Sequence, residues 1–153
     1  MDEVFEYQIE VLHPLAVHFP IALLIVAALV VAVWAWNDRQ STLRGAAALA
    51  VLGATAAVFA ERTGEKMAEH SEGAPMVERF VELHESAADW TVLVSVALAV
   101  LLLTFLLGDR LWPHRAGTPR PVRISMALLA LVAALLVAWT GHIGGVMVWG
   151  TPV

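Results

Sequence analysis

The sequence has no cysteine, and charged residues make up only 15% of its 153 residues. Without cysteine the chain forms no disulfide, no thiolate metal site, no iron–sulfur cluster and no covalently attached c-type haem. Soluble globular domains carry about a quarter charged residues, so the low charge excludes an ordinary soluble domain. The net charge of −5 argues against nucleic acid as a partner, because nucleic-acid binding needs a basic face.

Hydrophobic residues make up 59% of the chain, and they are concentrated in four runs. A bilayer core about 30 Å thick needs about 20 helical residues, and the two shorter runs reach that length with their flanks. The sequence therefore predicts a single domain, residues 1–153, that is all-α and crosses the lipid bilayer four times as an up-down-up-down bundle. The four runs are Leu15 to Trp36, Gly45 to Ala60, Trp90 to Leu107 and Ile124 to Trp139.

The stretch between the second and third runs is predicted to be helical as well. Pro75 suits the first turn of a helix, and apolar residues follow it at intervals of three or four, from Phe80 through Leu83 to Ala87. We expect the third helix to begin near Pro75. Helices 2 and 3 then form a short extramembrane helical hairpin with its turn at residues 71–73.

Charge predicts the orientation of the bundle. Six of the nine basic residues lie between runs one and two or between runs three and four, whereas twelve of the fourteen acidic residues lie elsewhere. By the positive-inside rule the arginine-rich loops face the cytoplasm. The expected location is the bacterial inner membrane, with both termini in the periplasm. The six basic residues are Arg39, Arg44, Arg110, Arg115, Arg120 and Arg123.

Histidines are gathered on the outer side of this topology. His18, His84 and His142 lie within about one helical turn of the outer boundary, on three different helices. An unpartnered imidazole at that depth is costly, so these three are the candidate ligands of a cofactor or metal. Of the six histidines, His13, His18, His70, His84 and His142 are on this side, and His114 is in a cytoplasmic loop.

Carboxylates and glycines accompany these histidines. Glu61 and Glu65 are one turn apart on the second helix and share a face, and Glu85 follows His84. Ionisable groups at membrane depth tend to mark function, so Glu61 and Glu65 are candidate metal ligands beside the imidazoles. The glycines around His142 leave room for the edge of a flat cofactor, and they are Gly141, Gly144 and Gly145.

The segment from His13 to Leu23, which reads HPLAVHFPIAL, resembles the signature of DUF2231, a family of predicted bacterial membrane proteins. The segments 63–65, 84–85 and 141–145 fit the same pattern, so the resemblance covers essentially the whole chain. Trp149 departs from it, because a tyrosine is usual there. His18, Glu65, His84 and His142 occupy the family's characteristic positions. Related domains joined to c-type cytochromes imply a redox setting.

Three functions follow as hypotheses. The first is a membrane cytochrome that binds haem b through two of His18, His84 and His142 and exchanges electrons with a periplasmic or membrane redox partner or with quinone. The second is a transition-metal site of the same histidines with Glu61 and Glu65. The third is a non-enzymatic accessory subunit of a larger complex or a homo-oligomer.

An electron carrier or accessory subunit suits the chain better than a stand-alone enzyme. It has no nucleophile motif and no H-E-x-x-H pairing of the kind that zinc hydrolases use. Further candidate ligands, ranked below the three histidines of the outer boundary, are His13, His70 and Glu85.

Overall fold

The computed structural model describes the backbone of residues 12–68, 75–111 and 117–149, and the side chains of residues 12–67, 80–108 and 117–149. Within these ranges the chain forms a one-turn helix and four long helices. They are α1 (His13–Ala16), α2 (His18–Asn37), α3 (Gln40–Ala68), α4 (Pro75–Leu111) and α5 (Arg120–Trp149).

Four helical stretches are long and apolar enough to cross a membrane. This confirms the predicted all-α chain with four spans. The third long helix begins at Pro75, as predicted, whereas the turn of the predicted hairpin at residues 71–73 lies outside the described residues. The four stretches are His13–Asn37, Gln40–Met67, Phe80–Gly108 and Arg120–Trp149.

The long helices close into a bundle. Helix α2 packs on α3, α3 on α4 and α4 on α5, and α5 returns to pack on α2. Only Asp38 and Arg39 separate α2 from α3, so these two helices run in opposite directions. Membrane helices gain little from the hydrophobic effect and associate through close packing of small residues. The small side chains Ala46, Ala50 and Ala57 of α3 are buried accordingly.

Large side chains fill the end of the bundle near the arginine-rich loops. Trp34 of α2 is 1% exposed, and its ring lies 6.5 Å from that of Phe105 of α4, measured between centroids. Leu43, Leu98 and Leu102 are fully buried around it. Trp34 and these leucines belong to the buried hydrophobic core of the bundle.

Polar contacts close the same end of the bundle. The guanidinium of Arg123 donates hydrogen bonds to the carbonyls of Ala35 at 2.8 Å and Thr118 at 3.0 Å, and its Nε lies 3.8 Å from Oδ1 of Asp38. Asp38 ends α2 in the left-handed region, at φ 51°. Gly117 packs against the same carboxylate, so that a Cβ on Gly117 would lie 2.7 Å from Oδ2 of Asp38.

Candidate functional site

A break in the first span directs His13 into the bundle. Pro20 has no amide hydrogen to donate to the carbonyl of Ala16, and the helix is interrupted at Val17, between α1 and α2. The buried residues Ala16, Pro20 and Leu24 follow one another at four-residue steps. His13 lies three residues before Ala16, so the same stripe places it against the interior.

Helix α3 holds the ring of His13. Its Nδ1 donates a hydrogen bond to the carbonyl of Ala60 at 2.9 Å and lies 3.4 Å from Oγ1 of Thr63, which donates to the same carbonyl at 2.8 Å. A carbonyl only accepts hydrogen bonds, so Nδ1 carries the proton of the neutral ring. Nε2 of His13 is therefore left with a free lone pair.

His84 of α4 faces this ring. The two ring centroids are 6.0 Å apart and the ring planes are nearly perpendicular, at 86°. Nδ1 of His84 is buried and has no hydrogen-bond partner among the described residues. The backbone of Thr140 lies close to the same ring. In the Nε2-protonated tautomer of the neutral ring, the buried Nδ1 carries the lone pair.

A pair of threonines ties α4 to α5 at this end of the bundle. Oγ1 of Thr91 lies 3.0 Å from Oγ1 of Thr140. Each hydroxyl also lies within hydrogen-bonding distance of a carbonyl of its own helix, Ala87 at 2.8 Å and Leu136 at 2.9 Å. Thr91 is two turns from His84, and the backbone of Thr140 contacts that ring. The contact fixes the rotation of α5 beside the histidines.

Glycines lie against both rings. A Cβ built on Gly64 of α3 would be 2.9 Å from Cε1 of His13, and one built on Gly144 of α5 would be 3.3 Å from Cε1 of His84. A Cβ on Gly145 would have nothing within 4 Å. Each imidazole therefore packs directly on helix backbone, and an open space adjoins Gly145. We call His13, His84, Gly64 and Gly144 the histidine site.

The other predicted histidines lie on the outside of the bundle. His18 follows His13 by five residues, which is about 140° around a helix, and it is exposed. His142 is exposed as well, and its ring lies 5.8 Å from that of Trp139. No three His, Asp or Glu side chains in the described ranges form a group that could hold a metal ion. The structure thus pairs His84 with His13, and ligand roles for His18 and His142 stay predictions.

The remaining predicted site residues are dispersed. Glu61 is half-buried, and its carboxyl group lies close to that of Asp89 on α4. Glu65 and Glu85 are exposed. Gly141 packs on α2, where its Cβ would lie 3.2 Å from Cδ1 of Ile21. His70 lies outside the described residues. The sequence reasoning did not identify Gly64, Thr91 or Thr140 as parts of the site.

The fold defines a helical membrane protein with four spans and paired histidines at one end. Its sequence matches the family model described as "Predicted membrane protein (DUF2231)" over residues 10–153, and the chain belongs to that family. The resemblance found in the opening motif is thereby confirmed. No curated protein and no solved structure matches the chain.

Proposed function

We propose that this protein binds haem b between His13 and His84 and transfers electrons at that end of the bundle. The observation that carries the proposal is the pairing of two rings from different helices, 6.0 Å apart, with a buried and unpartnered Nδ1 on His84. Leaving a buried polar atom without a partner costs about 1–3 kcal/mol. Coordination to iron would use this lone pair and remove that cost.

The separation of the rings suits one metal atom between them. Two imidazoles that bind the same metal at about 2.0–2.1 Å per nitrogen have centroids about 5 to 6.5 Å apart, depending on the angle at the metal. The observed 6.0 Å lies in that range. Perpendicular ring planes are compatible with this arrangement, because both rings can still contain the line to the metal.

The second nitrogen of the His13 ring also supports the proposal. Histidines that bind metals usually donate their other N–H group to a carbonyl or carboxylate, which fixes the tautomer and the orientation of the ring. His13 does so to the carbonyl of Ala60, which leaves Nε2 available to a metal. His84 offers its buried and unpartnered Nδ1 in the tautomer that carries the proton on Nε2.

When bound, haem would supply one-electron chemistry. The residues of this chain would hold the iron from two sides, and the surrounding helices would exclude water. The distribution of arginines supports a site on the periplasmic side of a bacterial inner membrane. Electrons would then pass to a periplasmic or membrane redox partner or to quinone.

A bare transition-metal ion is the second candidate. The separation of 6.0 Å between the rings suits a bare ion as well as it suits haem iron. Neutral imidazole is also a good ligand for zinc, copper and iron. Such an ion would need further donors, from water or from a carboxylate. Haem would bring further donors of its own, so that His13 and His84 would suffice to hold it, and this places haem first.

The visible spectrum of the full chain, expressed with haem supplied and purified in detergent, tests the proposal. We expect a Soret band with sharp α and β bands on reduction, and loss of all three in His13→Ala and in His84→Ala. The exposed histidines provide matched controls, since His18→Ala and His142→Ala should keep the spectrum. A colourless protein with one equivalent of metal that depends on His13 and His84 would favour the bare ion. A protein with neither haem nor metal would contradict both and leave an accessory subunit.

A further inference from the structure

The closest approach at the histidine site is between Gly64 and His13. A Cβ on Gly64 would lie 2.9 Å from Cε1, 3.1 Å from Nδ1 and 3.6 Å from Nε2 of that ring. Carbon atoms in contact prefer a separation of about 3.5–4.0 Å, so alanine at position 64 forces the ring or the helix to move. The ring has little freedom to yield, because its Nδ1 is held by the carbonyl of Ala60 at 2.9 Å.

We propose that Gly64 is a positioning residue that sets the distance between His13 and His84. The absence of a side chain at position 64 lets the His13 ring lie flat on α3, bonded to Ala60 and 6.0 Å from its partner. A methyl group there displaces the ring, and the displaced ring loses the carbonyl, the pairing or both. This inference rests on the proposed function only where it concerns haem, because the pairing of the two rings does not depend on haem.

Two of the glycines of α5 at this end, Gly144 and Gly145, provide controls of graded severity. A Cβ on Gly144 would approach Cε1 of His84 to 3.3 Å, which a shift of a few tenths of an ångström relieves, and one on Gly145 would meet nothing within 4 Å. The three alanine substitutions insert the same methyl group into helices at the same end of the bundle. If Gly64 acts through His13, the effects rank Gly64→Ala first, Gly144→Ala second and Gly145→Ala last.

The first measurement needs no haem. Ring-nitrogen NMR of haem-free protein labelled at histidine should show the Nδ1-protonated tautomer for His13 in the wild type and in Gly145→Ala. Gly64→Ala should lose this signature. A His13 signal that is unchanged in Gly64→Ala would overturn the inference, whatever the protein binds.

The second measurement links Gly64 to haem. We expect Gly64→Ala to weaken haem binding about 10–100-fold, the range found for groups that orient metal ligands, and Gly145→Ala to leave it unchanged. In a His13→Ala background the Gly64 substitution should change the unfolding midpoint no more unfavourably than Gly145→Ala does, because the ring that it displaces is gone. Equal losses in both backgrounds would overturn the inference. If Gly64→Ala alone does not fold, recovery in Gly64→Ala/His13→Ala is the expected result, and failure of both contradicts it.

If the wild type binds no haem, the proposed function fails, whereas the NMR comparison and the unfolding cycle still decide the role of Gly64. If haem binds and Gly64→Ala behaves like Gly145→Ala, the inference fails and the proposed function stands.

Discussion

The two ends of the bundle are built on different principles. Near the arginine-rich loops, Trp34 and the leucines around it fill the interior, and Arg123 donates to carbonyls of two segments. At the opposite end the interior contains imidazoles, threonines and glycine backbone, and one buried nitrogen of His84 has no partner among the described residues. Among the residues that the structure describes, the buried side-chain polar atoms of the first end have partners, whereas one at the second end has none.

The two ends therefore contribute differently: the arginine end stabilises the bundle, and the histidine end is suited to binding. Membrane helices are stabilised mainly by close packing, and the arginine end supplies it. A buried nitrogen without a partner lowers stability. Its presence at the histidine end therefore indicates a functional role, such as binding, and not a role in stabilising the fold. Functional sites are where such local conflicts are expected. Removal of the packed Trp34 ring at the arginine end and of the unpartnered His84 ring at the histidine end should therefore change stability in opposite directions.

The largest effect is expected for Trp34→Ala. Removing this buried ring leaves a cavity in the hydrophobic core of the bundle, and we expect the free energy of unfolding to fall by about 3–5 kcal/mol. Reversible unfolding in mixed micelles measures the change. Trp36→Ala is the control, since Trp36 is 88% exposed and its loss should change stability by less than about 0.5 kcal/mol. Similar losses in both variants would contradict the packing difference.

His84→Leu should have a smaller effect of opposite sign. Leucine fills a similar volume without an unpartnered nitrogen, so the haem-free protein should become more stable by about 1 kcal/mol. The same substitution should abolish the Soret band. The control is the exposed His142→Leu, which should change neither property. A clear loss of stability in His84→Leu would show that the ring serves to hold the helices together.

The smallest effect is expected at the threonine pair. Thr91→Val removes the hydroxyl contact with Thr140, and hydrogen bonds between membrane helices average about 0.6 kcal/mol. A double-mutant cycle with Thr140→Val measures the coupling. Thr104→Val is the control, because its hydroxyl bonds to the carbonyl of Val100 in its own helix and it is exposed. A coupling near zero would mean that the two hydroxyls act independently.

Much of the fold could be predicted from the sequence alone. The four spans, the start of α4 at Pro75 and the buried alanines of α3 depend on hydropathy, on proline chemistry and on the spacing of small residues, which are properties of single helices. The opening motif also identified the family. These features require no knowledge of how the helices cross.

The histidine site was predicted only in part, because the prediction considered depth along each helix and not rotation about it. The buried steps through Ala16, Pro20 and Leu24 lead back to His13 and bypass His18. On α5 the buried residues Ala130, Ala133 and Val137 lead on to Thr140, not to His142. Extending each stripe by one turn would have ranked His13 above His18 and would have found Thr140.

Other parts of the site had no signal in the sequence. The acceptor for His13 is the backbone carbonyl of Ala60, which no residue type specifies. The separation of 6.0 Å between the rings depends on the crossing of α1, α3 and α4. Gly64 belongs to a run of small residues, and only the position of His13 distinguishes it from the others.

Electron paramagnetic resonance of the oxidised protein tests most directly whether His13 and His84 hold one haem together. The account predicts a low-spin ferric signal, as for two imidazole ligands, in the wild type and in His18→Ala and His142→Ala. It predicts a high-spin signal or no haem in His13→Ala and in His84→Ala. A low-spin signal that persists in His84→Ala, or its loss in His142→Ala alone, would contradict the pairing of His13 with His84.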